Sequence, residues 1–159
     1  MTAIFSGNRR QLSIASLGLG ILLALGANVW MAAQAPRPQM TVYKSSTCGC
    51  CSNWVAHMKA NGFDVKAIDV DDIDKVKRER GVPADVTSCH TAIVNGYIVE
   101  GHVPADAVQK MLKDKPAIAG IAVPGMPMGS PGMEQGGVKQ PFNTMAFTKD
   151  GRETVFAKH

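Results

Sequence analysis

Residues 40–60 read MTVYKSSTCGCCSNWVAHMKA, and this stretch decides the fold. Its first part, Met40–Ser46, alternates apolar and polar residues and includes β-branched and aromatic side chains, which predicts a strand. Its last part, Ser52–Ala60, contains good helix formers with apolar residues on one face, which predicts a helix. Three of the chain's four cysteines lie between the two, in TCGCC at 47–51. The sequence therefore predicts a rigid strand-to-helix turn that holds several thiols close together.

The residues that follow keep alternating between strand and helix patterns. They predict a strand at Phe63–Val70, a helix from Asp71 through Arg80, a hairpin of Thr91–Val94 and Tyr97–Glu100, and a helix at Pro104–Lys113. Strands that alternate with helices predict an α/β fold with a parallel crossover, and the hairpin adds antiparallel strands beside it. The densest charge run, Lys75–Arg80, is interpreted as a solvated helix face.

The composition changes after Pro116. Residues 124–133 read PGMPMGSPGM, a loop rich in proline, glycine and methionine. Asn143–Thr148 and Thr154–Lys158 then flank a turn that contains Asp-Gly, which predicts a second hairpin. We interpret residues 116–159 as an extension of the same domain, whose core covers about 40–115.

The N-terminal segment, residues 1–35, has the pattern of an export signal. Arg9 and Arg10 precede an almost wholly apolar stretch, Leu12–Val29, and Ala33-Gln34-Ala35 matches an A-x-A cleavage site. The apolar stretch is long for a signal peptide. Two alternatives therefore remain: the segment is cleaved, or it is retained as an inner-membrane anchor. In both cases we expect a periplasmic protein whose folded domain is 36–159, and membrane contact only if the segment is retained.

The charge balance argues against a nucleic-acid partner. The chain carries 17 Lys and Arg against 13 Asp and Glu, and two of those bases, Arg9 and Arg10, belong to the N-terminal segment. The rest of the chain is nearly balanced and has no basic run with interleaved aromatic residues. We therefore expect no nucleic-acid binding.

The cysteine turn suits metal binding better than structural disulfides. Cys48 and Cys51 have the C-x-x-C spacing of a redox pair, but Cys50 is a third thiol inside it. Adjacent cysteines such as Cys50 and Cys51 make a poor disulfide. Because a soft metal ion can take several sulfurs at once, the cluster, with Cys89 as the fourth thiol, predicts a metal site.

The methionines favour copper as the metal. Met126, Met128 and Met133 lie on the proline-glycine loop and follow neither a helical nor a strand period. Thioether sulfur binds Cu(I) well and zinc poorly, and the cysteine spacing differs from that of common zinc sites. The alternative is that these methionines only fill gaps between the loop and the domain.

The histidines carry less information. His90 follows Cys89 directly and is equally compatible with ligation and with an exposed position. His102 follows the first hairpin, where an exposed loop residue is the favoured interpretation and a metal ligand the alternative. His57 lies two helical turns after Cys50, roughly 10 Å along the helix axis, so it is interpreted as structural.

The element order, with cysteines at the first strand-to-helix turn, resembles the thioredoxin-like fold. In that fold the loop before the third core strand faces the cysteine turn and usually carries a cis-proline. The matching loop here, 85–91, has no proline next to the strand and carries Cys89 instead. This departure weakens the case for ordinary thiol–disulfide exchange.

Three motifs together resemble one known family, the small periplasmic copper-resistance proteins of proteobacteria, long catalogued only as a domain of unknown function. They are the Cys-Gly-Cys-Cys turn at 48–51, the Cys89-His90 loop and the segment 123–133. The resemblance implies a thioredoxin-like mixed sheet with flanking helices and a copper site. It implies that the thiolate ligands are Cys48, Cys50, Cys51 and Cys89. If one thiolate bridges two copper ions, the site can hold more than one ion. It also implies a role in handling or interconverting Cu(I) and Cu(II).

Three functions therefore compete. The first is an exported copper-binding protein of copper resistance that sequesters copper or cycles its oxidation state. The second is a thiol–disulfide oxidoreductase that uses Cys48 and Cys51. The third is a module that passes copper to an efflux or storage protein. The sequence leaves open whether the protein is an enzyme, and which Met or His residues are ligands.

Overall fold

The structure is a computed structural model that describes residues 36–159. The predicted signal or anchor at 1–35 lies outside the described residues. Among the residues that are described, no helix is long and apolar enough to cross a membrane.

One mixed sheet of seven strands organises the described part of the chain. Its strand order is β2-β1-β3-β4-β5-β6-β7, and the pairs β1/β2 and β4/β5 are parallel while the others are antiparallel. The strands and helices are β1 Gln39–Lys44, α1 Gly49–Ala60, β2 Asp64–Asp69, α2 Ile73–Arg80, β3 Thr91–Val94, β4 Tyr97–Glu100, α3 Ala105–Asp114, β5 Gly120–Ala122, β6 Asn143–Phe147 and β7 Glu153–Lys158, with a 3-10 turn at Ala84–Val86. The predicted mixed α/β class is confirmed, while the finer thioredoxin-like arrangement stays a prediction.

The first hairpin forms where its turn residues predict it. Asn95 and Gly96 have φ values of 47° and 84°, so both adopt the left-handed conformation that a two-residue type I′ turn requires. The turn fixes the register, in which Thr91 pairs with Glu100 and Val94 with Tyr97. As a result, the chain segments just before β3 and just after β4 end at the same edge of the molecule as the cysteine turn.

Helix α1 begins at Gly49, three residues before the predicted start at Ser52. Cys48 is the N-cap, because its sulfur accepts a hydrogen bond from the backbone N–H of Cys51 at 3.3 Å. Cysteine is not among the usual capping residues. The longer helix places Cys50 and Cys51 inside its first turn.

Helix α2 corrects the prediction of a fully solvated charge run. Asp72 caps its N-terminus through the backbone N–H of Lys75, and Gly81 ends it in the left-handed conformation. Within the helix, Lys77 is only 4% exposed, whereas most of its charged neighbours are exposed. Its ammonium group turns inward to the carboxylate of Glu100.

The C-terminal extension joins the main sheet directly. Strand β5 was absent from the predicted elements, since three buried residues without alternation give no strand period. It pairs with β4 so closely that a Cβ at Gly120 would clash with the Ile98 carbonyl oxygen. The predicted second hairpin forms as β6 and β7, which extend the sheet from this strand.

The main hydrophobic core lies where α1 and α3 pack on one face of the sheet. Trp54 and Met58 of α1 and Val108 and Met111 of α3 are fully buried in it. A smaller cluster contains Val86, Ile98, Ala122 and Phe147. The larger core fixes α1 against the sheet and thereby fixes the cysteine turn at its N-terminal end.

Candidate metal centre

The cysteine turn presents three sulfur atoms at the start of α1. Cys48 and Cys51 are joined by a disulfide, and their Cα atoms are 5.3 Å apart. Cys50 has a free thiol, with its Sγ 3.5 Å from that of Cys48. Cys51 is buried while Cys48 and Cys50 are partly exposed, so this side of the site is open to small solutes.

The fourth cysteine comes from the loop that precedes β3. Cys89 is a free, partly buried thiol, and the Sγ atoms of the four cysteines lie within 4.8 Å of one another. The parallel crossover and the first hairpin thus bring a distant thiol onto the C-x-C-C turn. This group is compatible with metal binding, and the role of the four cysteines as metal ligands stays a prediction.

His102 also belongs to this site. The favoured sequence interpretation, an exposed loop residue, is wrong, because the side chain is fully buried. Its Nε2 lies 3.0 Å from Cys89 Sγ, and its Nδ1 lies 2.7 Å from the carbonyl oxygen of Pro131. A carbonyl only accepts, so Nδ1 carries the proton and Nε2 presents its lone pair to the sulfur. Burial lowers the pKa of His102, which favours this neutral form.

His90 is a second histidine beside the same sulfur. It is fully buried, with Nδ1 3.2 Å from Cys89 Sγ and the ring centroid 4.4 Å from that of Trp54. Its Nε2 has no hydrogen-bond partner within residues 36–159. Burial is the main cause that holds the pKa of His90 well below its usual range, and the nearby His102 adds to it. The imidazole is therefore neutral and able to act as a ligand.

The electrostatics of the site favour neutral groups when no cation is bound. Burial, and to a lesser extent the neighbouring Cys50, together raise the pKa of the Cys89 thiol to about 12. A hydrogen bond from the Ser88 side chain, a backbone hydrogen bond and, least of all, the charge of Lys77 lower this pKa, but they do not outweigh the effect of burial. A metal ion that binds Cys89 must therefore displace a proton.

A buried ion-pair network holds the Cys89 loop in place. Glu100 Oε1 accepts hydrogen bonds from Lys77 Nζ at 2.5 Å and from the backbone N–H of Ser88 at 2.7 Å. Its Oε2 accepts from the hydroxyl of Thr91 at 2.7 Å. Burial raises the pKa of Glu100, while Lys77 counteracts this as the largest opposing influence. Sequence reasoning missed the network, although a glutamate that ends a strand of otherwise uncharged residues was a signal for a buried partner.

The proline-glycine-methionine loop covers the cysteine turn. A Cβ at Gly132 would lie 2.8 Å from both the Cys50 carbonyl oxygen and the Trp54 nitrogen, so only glycine fits there. The loop is also tied by Ser88 Oγ, which donates to the Gly125 carbonyl oxygen. The loop thus contacts the site at two points: Pro131 accepts a hydrogen bond from His102, and Gly132 packs against the cysteine turn.

The methionines of this loop differ in exposure. Met126 is 51% exposed, and Met128 and Met133 are partly buried. Their role as metal ligands stays a prediction. His57 has a structural contact, because its Nε2 accepts a hydrogen bond from the backbone N–H of Ala105 at 3.3 Å.

Known proteins resemble this chain in sequence and in structure. The family model described as "Protein of unknown function, DUF411" matches residues 86–133. Two solved structures, form 2 and form 1 of copper resistance protein CopG, are each 40% identical to the chain and cover 78% of it. The chain covers 99% and 98% of those structures, with TM-scores of 0.75 and 0.74. No match was found among curated proteins.

The chain belongs to the CopG family. This confirms the resemblance to a copper-resistance family of formerly unknown function. The family model covers Cys89, His90, His102 and the loop over the site, whereas the cysteine turn precedes it. The CopG structures cover most of the chain.

Proposed function

We propose that this CopG-family protein binds copper in copper resistance, and that it holds Cu(I) through the thiolates of Cys48, Cys50, Cys51 and Cys89. The observation that carries the proposal is the approach of four cysteine sulfurs to within 4.8 Å of one another. The name of the protein in the two solved structures, copper resistance protein CopG, supports the choice of metal.

The chemistry of the donors supports Cu(I) in particular. Soft thiolates select Cu(I) among the ions available to an exported protein, and neighbouring thiolates repel one another until a cation neutralises them. A thiolate that bridges two ions lets four sulfurs hold more than one copper. Cys48 and Cys51 act as ligands only when their disulfide is reduced.

The same disulfide supports a role in interconverting the two copper oxidation states. When the Cys48 and Cys51 thiols are oxidised, one S–S bond forms and two protons leave. The two electrons released reduce two Cu(II) ions to two Cu(I) ions. Cys50 and Cys89 remain as thiols beside the new disulfide and hold the product ions.

A second candidate function is thiol–disulfide exchange. It is favoured by the disulfide itself, which lies at a helix N-terminus with Cys48 partly exposed, a common arrangement for reactive cysteines. This activity needs only Cys48 and Cys51. A copper cluster also needs Cys50 and Cys89, so the two functions separate on those residues.

The cellular context belongs to the proposal as well. The pattern at residues 1–35 supports export to the periplasm, with an inner-membrane anchor if the segment is retained. Residues 36–159 then act as one metal-binding domain. A copper efflux or storage protein is the kind of partner that would receive copper from it.

An anaerobic copper titration of the reduced protein tests the proposed function. We expect more than one Cu(I) per chain to remain bound against a competing Cu(I) chelator. Cys50→Ser and Cys89→Ser each lose this retention because each removes a ligand. Asn53→Ala, an exposed position in the same helix turn, serves as the matched control and retains the copper.

The opposite outcome is equally clear. If the reduced protein retains no copper and Cys50→Ser still turns over a disulfide substrate, the protein is an oxidoreductase and the copper proposal is wrong.

A further inference from the structure

A groove of about 1080 Å³ lies at the end of the sheet opposite to the cysteine turn. The turn Asn95-Gly96 and the C-terminal ends of α2 and α3 line it. Strand β3 is antiparallel to β1, and Val94 at the end of β3 pairs with Met40 at the start of β1. The cysteine turn follows the other end of β1, beyond Lys44. The groove is therefore separate from the metal centre.

The groove combines an apolar floor with a basic rim. The floor consists of buried or partly buried apolar side chains, among them Ile93, Ile98, Leu112 and Ile118. The rim carries four exposed cations: Arg78, Arg80, Lys115 and Lys149. Glu79 is the single acidic residue of this lining within residues 36–159. The lining thus has an excess of positive charge beside apolar surface, which suits an amphiphilic anion.

The two arginines of the rim keep their charge available to a ligand. Arg80 donates a hydrogen bond to the Tyr43 hydroxyl at 3.1 Å, and its guanidinium lies over the ring at 5.4 Å from the centroid. These contacts orient the side chain but bring no negative charge. Arg78 lies 3.8 Å from a carboxylate oxygen of Asp72, and both side chains are more than half exposed. An exposed pair at that distance is weak, so an anion can compete for Arg78.

The described chain also begins at this end of the domain. Residues 36–38 directly precede β1, whose first residues lie beside the end of β3. The apolar stretch Leu12–Val29 is connected to this end by residues 30–38, which span at most about 30 Å when fully extended. If the segment is retained as an anchor, the basic groove is the part of the domain that is tethered closest to the bilayer.

We propose that this groove binds the anionic phospholipids of a membrane surface. Lysine and arginine side chains close to an anionic bilayer are attracted to its headgroups, and this attraction acts within a Debye length of the surface. The apolar floor beneath the cations offers a surface to the hydrocarbon next to those headgroups. A soluble acidic protein would also match the charge, but the connection to an apolar segment at this end favours the membrane.

This placement sets the orientation of the domain. With the groove on the bilayer, the metal centre at the opposite end of β1 points away from the membrane. Copper ions and a receiving protein then reach it from the periplasm. The lipid contact itself does not depend on the proposed function, because it involves neither copper nor the cysteines.

Co-sedimentation of residues 36–159 with lipid vesicles tests the proposal without a contribution from the apolar segment. This part of the chain contains the seven-stranded sheet and both hydrophobic clusters, and the two CopG structures cover 78% of the chain, so it folds on its own. In copper-free buffer we expect binding to vesicles of phosphatidylglycerol and phosphatidylcholine, and little binding to phosphatidylcholine alone. Binding should be lost in roughly 0.5 M salt, because salt screens exposed charges.

A pair of double variants locates the binding surface. Lys115→Gln/Lys149→Gln removes two rim cations and should weaken vesicle binding about 25-fold, since each such cation contributes about fivefold. Lys139→Gln/Lys158→Gln removes the same charge from exposed positions outside the groove lining and should bind like the unchanged domain. Both variants should retain Cu(I), and urea unfolding checks that both are folded.

Three results overturn the proposal. The first is equal binding to anionic and neutral vesicles, and the second is an equal loss in the two double variants. The third is binding of a glutamate-rich peptide through Lys115 and Lys149 without any binding to vesicles, which would make the groove a docking site for an acidic protein. None of these results bears on the Cu(I) titration, so the proposed function stands or falls separately.

Discussion

The two sides of the metal centre are built in different ways. The cysteine turn is local, because a strand end, an N-cap and a first helical turn place Cys48, Cys50 and Cys51 within four residues. The facing wall, formed by Cys89, His90 and His102, depends on contacts between distant parts of the chain. Its loop is held by the hydrogen bond from the Ser88 backbone N–H to Glu100, and the His102 ring is oriented by its hydrogen bond to the Pro131 carbonyl oxygen.

This difference indicates which substitutions should disrupt the metal centre most. Substitutions near the cysteine turn remove a ligand but leave its backbone supported by helix hydrogen bonds. Substitutions of the residues that support the facing wall, such as Lys77, remove no ligand, yet they displace several donors together. The following predictions test that contrast, in order of decreasing effect.

The largest effect is expected for Lys77→Met, which leaves Glu100 as a buried carboxylate without its cation. Removing one partner of a buried ion pair costs about 3–5 kcal/mol in the free energy of unfolding. Because Glu100 also holds the backbone of Ser88, Cu(I) retention should fall as well. Urea unfolding and the copper titration measure the two effects.

Lys75→Met is the matched control, since Lys75 lies on the same helix and is exposed. It should leave both the unfolding free energy and copper retention unchanged. Equal stability of the two variants would show that the buried pair does not support the wall.

A smaller effect is expected for Gly132→Ala, which tests the loop over the cysteine turn. The new Cβ would lie 2.8 Å from the Cys50 carbonyl oxygen, at a residue whose φ is +87°. Strain in the left-handed region alone costs about 1–3 kcal/mol. Gly137→Ala shares that strain at a φ of +74° but has no atom within 4 Å of the new Cβ. Thermal unfolding should show the larger loss in Gly132→Ala, and equal losses would mean that the close approach contributes nothing.

The smallest effect concerns pH and the cysteine side of the molecule. Burial lowers the pKa of His57, while Glu134 and Asp106 partly oppose this. Because the unfolded chain then binds the proton more readily, the unfolding free energy contributed by this group falls as pH decreases below about 6.5. His57→Gln keeps an acceptor for the Ala105 N–H but cannot titrate. Its unfolding free energy should therefore change less than that of the natural protein between pH 7 and 5, as measured by urea unfolding.

The sequence predicted the fold best where structure is local. The hairpin 91–100 follows from Asn95-Gly96, whose turn geometry is encoded in two residues. The end of helix α2 follows from Gly81 in the same way. The start of α1 was placed three residues late because a cysteine sulfur, not a usual capping group, accepts the first hydrogen bond.

The sequence predicted the site only in part, for the corresponding reason. The cysteine turn was evident from its spacing, and Cys89 from its place in the loop. The burial of Lys77 and His102 was not, because their partners Glu100 and Pro131 are 23 and 29 residues away. Such pairs come together only in the folded structure, so no local sequence pattern predicts them.

The hydrogen bond from the Cys51 amide to the Cys48 sulfur has a practical consequence for spectroscopy. The acceptor of this amide proton is an atom whose charge changes when the thiol is oxidised, deprotonated or bound to a metal. The nitrogen and proton chemical shifts of that single backbone group therefore report the state of Cys48. A two-dimensional NMR spectrum of the isotope-labelled protein can follow copper loading at this one resonance, without any added probe.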